Sequence, residues 1–154
     1  MKILPYDTFK IESALSAKML AKMLESKIEP RTLSRTPRQE MAEYKGEVFE
    51  EGFEIRRILL YRNSFSPVIT GNFVSNGPGT DIQIKMALHT FTAVFMCIWL
   101  AVTVYILIFN YSSIPFAVGA LIFGILITFG GFWWEAIKQK PRLIEMFKEF
   151  EEGK

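Results

Sequence analysis

Charge vanishes from the middle of the chain. From Met86 to Trp134, about 49 residues, no Asp, Glu, Lys or Arg occurs, and His89 is the one titratable side chain that breaks an apolar sequence apart from Cys97 and two tyrosines. A run this long exceeds one bilayer crossing, which takes about 20 residues, and it accommodates two if a turn divides it. Asn110-Tyr111-Ser112-Ser113-Ile114-Pro115 supplies that turn. The pattern predicts two spans, about 91–109 and 115–134, within a hairpin domain covering 89–134. Both are expected to be helices, because a backbone in lipid satisfies its own hydrogen bonds. Pro115 suits the first turn of the second helix, where its missing N–H is no loss.

On either side the period changes. Residues 1 to 88 predict a small α+β domain: a strand within Met1–Glu12 that Pro5 confines to an edge or a late start, then a helix carrying Leu15, Met19, Leu20, Met23 and Leu24. Pro30 to Arg38 reads as a loop. Its arginines invite phosphate or lipid headgroups, although Glu29 and Glu40 flank it and favour a solvated loop. Strands follow at Tyr44–Phe49, Phe53–Leu60, Pro67–Val74 and Thr80–Leu88, joined by short turns that imply an antiparallel meander. In residues 135 to 154, Leu143, Met146, Phe147 and Phe150 share one helical face, and the amphipathic helix they form is expected to dock on the sheet. The predicted class is therefore an α+β membrane protein: a small antiparallel sheet with an N-terminal and a C-terminal helix, plus a transmembrane hairpin.

Charge adds an orientation. The turn has no basic residue, whereas Lys85 precedes the first span and Lys138, Lys140 and Arg142 follow the second, so both termini are expected in the cytoplasm of a multi-pass cell-membrane protein. Trp133-Trp134 and Tyr111 would mark the two interfaces. The net charge of +2 is spread thinly and argues against nucleic acid as a partner. With Cys97 alone, no intrachain disulfide can form.

Small residues recur at helical spacing in both spans. Ala93, Cys97 and Ala101 on the first and Ala120, Gly124 and Thr128 on the second could pair in one antiparallel register, as a seam that lets the backbones approach. Small residues are also simply common in spans. His89 and Glu135 lie at the same end of the hairpin and form a candidate interfacial pair, either a protonation switch or two separately solvated groups. Gly77-Pro78-Gly79-Thr80 lacks the Lys and the helix of a phosphate loop and reads as a hairpin turn. One His and one Cys exclude the usual Cys/His zinc site, and no nucleophile elbow, HExxH or Walker pattern occurs. No catalytic residue, metal or cofactor is expected.

Three segments carry a resemblance: Tyr61-Arg62-Asn63-Ser64-Phe65-Ser66-Pro67-Val68-Ile69-Thr70-Gly71, Gly79-Thr80-Asp81-Ile82 and Gly130-Gly131-Phe132-Trp133-Trp134-Glu135. They resemble small uncharacterised bacterial membrane proteins, and the strands with a final helix resemble, in architecture, bacterial pleckstrin-homology-like membrane domains. The first likeness implies a soluble domain leading into a two-span hairpin and brings no known activity. The expected function is noncatalytic: a membrane-anchored binding or assembly module that meets the lipid bilayer and an unidentified membrane or cytoplasmic protein. The alternative is a small oligomeric transport, channel-forming or membrane effector/immunity protein, with homo-oligomers as its working state.

Overall fold

The computed structural model describes residues 5–30, 42–59, 63–110, 112 and 114–153. The loop expected at 30–38, the turn residues Arg62 and Tyr111 and the extreme N-terminus lie wholly or partly outside the described residues. Alternation is clearest in Thr80 to Met86, and the strand formed there, β6 (Gly79–Ala87), buries Thr80, Ile82, Ile84 and Met86 on one face. It pairs with β5 (Val68–Asn76) through a tight turn in which Gly77 takes φ +62°, the positive value a primed hairpin turn asks of its first central residue. β4 (Gly52–Arg57) and β3 (Tyr44–Phe49) complete the antiparallel meander.

The sheet extends further on both sides. β1 (Tyr6–Ser13) starts just after Pro5 and pairs antiparallel with β6 as an edge strand. After α1 (Ala17–Lys27), β2 (Ile28–Pro30) joins β3 in parallel, so the order is β1-β6-β5-β4-β3-β2. The sheet is thus mixed, not antiparallel throughout. Three residues show no alternation to read, and a parallel partner reached over the 13 residues 31 to 43 is not announced by a local turn.

Two helices follow, α2 (Thr90–Phe109) and α3 (Ile114–Glu152), both long and apolar enough to cross a membrane. At 20 residues α2 spans about 30 Å, matching a hydrocarbon core, while α3 at 39 residues is about 58 Å long. The second span and the amphipathic tail are therefore one helix, a correction to the separate elements expected. Pro141 deprives the Ile137 carbonyl of its usual donor, but both residues are exposed, so solvent can satisfy it and the helix continues.

The far half of α3 covers the sheet beside α1. Leu143, Phe147 and Phe150 are buried in one core with Leu20, Leu24, Phe53, Ile55 and Ile69, and the Phe147 ring lies 5.9 Å from that of Phe53. Gly71 permits this arrangement, since a Cβ there would sit 2.2 Å from the Phe53 ring. Ion pairs rim the contact: Lys27 to Glu149 at 2.9 Å, Lys140 to Asp7 at 3.1 Å and Arg142 to Glu43 at 3.1 Å. Partly exposed pairs contribute about 0–1 kcal/mol each, whereas each buried Leu or Phe contributes about 1.5–3 kcal/mol. Burial, not charge pairing, holds α3 to the sheet.

Candidate functional site

The hairpin packs through an asymmetric seam. On α3, Gly124 and Thr128 are buried with Ala117, and Ala120 is half-buried beside them. On α2 the buried residues are Thr92, Met96 and Thr103; Ala93 is half-buried, while Cys97 and Ala101 are exposed. The register that set Cys97 against Gly124 and Ala101 against Ala120 is corrected accordingly. Gly124 instead forms a notch for larger side chains, as a Cβ placed on it would come within 2.9 Å of Trp99 Nε1 and 3.6 Å of Met96 Cε. The threonine hydroxyls are satisfied by their own helices, Thr103 donating to the Trp99 carbonyl at 2.6 Å and Thr128 to the Gly124 carbonyl at 2.7 Å.

Where the hairpin meets the sheet, polar groups converge. His89 is the N-cap of α2, its Nδ1 accepting from the Phe91 N–H at 3.2 Å, which leaves Nε2 as the donor of the neutral ring. Glu135 is only 1% exposed, and a carboxylate so buried requires compensating charge. Arg57 supplies it from the end of β4 at 3.5 Å, and Gln139 Nε2 lies 3.4 Å from the same oxygen. His89 and Glu135 thus have separate partners, one a cap and the other an arginine.

The loop from Asn63 to Ser66 is wedged into this junction. Asn63 Oδ1 accepts from the Phe65 N–H at 3.0 Å, an Asx turn that shapes the loop. Its Ser64 carbonyl accepts from the Thr92 hydroxyl of α2 at 3.0 Å, while Phe65 packs so closely on α3 that a Cβ on Gly131 would lie 3.0 Å from it. One loop therefore grips both helices. Composition alone hides this role, but an aromatic residue inside a polar turn was a legible sign that the turn is anchored.

Beside the wedge opens a cleft of about 600 Å³, lined among others by Lys45, Arg56, Arg57, Ser64, His89 and Phe91. Among the described residues no carboxylate lines it. Lys45 and Arg56 stand directly opposite each other across the β3–β4 ladder, and like charges in that position repel. Two residues further along the same strands, away from the hairpin, the facing pair is Glu47 and Glu54, followed by Glu50 and Glu51 at the turn. The two strands therefore carry a charge gradient, basic toward the hairpin and acidic away from it. Phe91 and Trp134, exposed by 74% and 64%, flank the same level, with Lys138 Nζ 4.1 Å from the Trp134 ring centre. Trp133 is half-buried against Phe132.

Among the described residues no group of three or more His, Cys, Asp or Glu side chains is placed to hold a metal ion. No protein-family model, curated protein or solved structure matches the chain.

Proposed function

We propose that the chain is a noncatalytic, membrane-anchored binding or assembly module, inserted by its helical hairpin with the sheet and both termini on the cytoplasmic side. The observation that carries this reading is the continuity of α3, whose first half is apolar and outward-facing and whose second half is part of the sheet's core. A domain attached through such a helix keeps a fixed distance and attitude to whatever plane the hairpin occupies. That suits display of a surface to a partner better than it suits a tethered, freely moving domain. The basic end of β3 and β4, with Lys45, Arg56 and Arg57, faces the hairpin and agrees with the cytoplasmic leaflet as neighbour. Extraction of the full chain from its native membrane in mild detergent, with mass by light scattering and composition by protein identification, tests the reading. A defined complex with a second polypeptide is the expected result. A homo-oligomer that conducts ions in proteoliposomes would replace it with the channel alternative.

A further inference from the structure

We infer that the turn at residues 63–66, with Ile58 and Leu59 beside it, beds in the lipid of the cytoplasmic leaflet as a third membrane contact. The inference rests on the membrane reading above and gives this turn a partner, the border between headgroups and acyl chains. Depth along the helices carries it. A hydrocarbon core about 30 Å thick takes about 20 helical residues. Counted from the hairpin turn, it ends near Thr90 on α2, which runs back from Phe109, and near Trp133 on α3, which starts at Ile114. The 63–66 turn touches both helices inside those limits. Its Ser64 carbonyl accepts from Thr92 and its Phe65 lies against Gly131, each about 3 Å to the hydrocarbon side of the border on its helix. Two helices thus set the turn at one level.

Irregular backbone at membrane depth is tolerated where protein satisfies its polar groups. Here Asn63 Oδ1 accepts from the Phe65 N–H at 3.0 Å and the Asn63 carbonyl from the Ser66 N–H at 3.3 Å. The Ser64 carbonyl accepts from the Thr92 hydroxyl at 3.0 Å, and Ser66 Oγ accepts from Gln139 at 3.5 Å. The apolar side chains at this level are left open instead. Phe65 stays half-exposed beyond its contact with α3, and Ile58, exposed by 36%, and Leu59 share a cleft with Phe91 and Thr92 of α2. Phe91, the most exposed of these, joins their surface to the lipid-facing side of the hairpin. A cytoplasmic protein would have to reach below the headgroups to cover it, which favours lipid as the occupant.

Site-directed spin labelling tests the depth. The full-length Cys97→Ala chain, carrying one nitroxide through Ser64→Cys, Phe91→Cys or Lys18→Cys, is reconstituted into vesicles of phosphatidylcholine and phosphatidylglycerol. Ser64 is exposed and gives Thr92 its carbonyl, not its side chain, so the label leaves the grip on α2 in place. Power saturation then compares collisions with oxygen, which concentrates among acyl chains, and with a water-soluble nickel chelate. The label at position 64 is expected to match that at 91, shifted toward oxygen, while the label at 18, on the exposed side of α1, is shifted toward nickel. A label at 64 that matches 18 while 91 stays in lipid would overturn this contact and leave the hairpin anchored. A label at 91 that matches 18 would overturn the anchoring, and this contact with it. If the Ser64→Cys chain does not fold, Ile58→Cys, exposed just beyond β4, carries the same comparison.

Discussion

Tyr44 shows how one side chain couples the core to pH. Its ring is buried under α3 with only 3% exposed, and its hydroxyl has no hydrogen-bond partner among the described residues. Burial, with Glu43 adding to it, pushes the phenol from its ordinary 10.0 up to about 12. Because the folded chain holds this proton more tightly than the unfolded chain, the contribution is intact below pH 10 and is lost as pH rises from 10 to about 12. The difference amounts to roughly 2–3 kcal/mol. Urea unfolding followed across that range should show a loss of stability that Tyr44→Phe abolishes. The variant should match or exceed the parent at pH 7, since it removes an unsatisfied buried hydroxyl. An unchanged alkaline loss in the variant would assign the effect elsewhere. Lys10 and Asp81 form the opposite kind of residue-scale pair: partly exposed and 2.9 Å apart, with the lysine raised and the acid lowered mainly by their mutual hydrogen bond.

The helices divide sharply into what could and could not be read from residue order. The two apolar stretches and the turn between them were legible because length and the absence of charge are strong constraints, and the strands β3 to β6 because polar turn residues separate them, although β4 ends at Arg57 and not at Leu60 and a ten-residue loop, 58 to 67, leads on to β5. Three features were hidden. Pro141 looks like a break, yet it falls on the exposed side of a helix whose burial is decided by Leu143, Phe147 and Phe150. β2 is too short to show a period. The packed face of α2 could not be chosen from small residues, since the helix is apolar all round and no stripe favours one side; Thr92 and Thr103, its buried polar side chains, were the better guide. The packing at Gly124 gives an element-scale prediction. Gly124→Ile should displace Trp99, shift tryptophan emission and cost about 1–3 kcal/mol in detergent, as overpacking does. Gly119→Ile, where a Cβ meets nothing within 4 Å, should be tolerated. Equal effects at both positions would contradict the seam.

For the molecule as a whole, the two features that matter are the sharing of α3 between hairpin and sheet and the direction of charge along β3 and β4. Together they give these two strands a basic end at the hairpin and an acidic end away from it. The candidate site was only partly legible: His89 and Glu135 were marked by their isolation in apolar sequence, but Lys45 and Arg56 become neighbours only through strand register, and Phe65 only through the wedge. The placement of these parts about a bilayer is open to direct measurement. A Cys97→Ala chain carrying single cysteines at Ser112, Lys18 or Lys148 allows a membrane-impermeant maleimide to read that placement in intact cells. Labelling is expected at position 112 from outside and at positions 18 and 148 only after permeabilisation. Labelling of positions 18 and 148 in intact cells, or of all three from the same side, would contradict it.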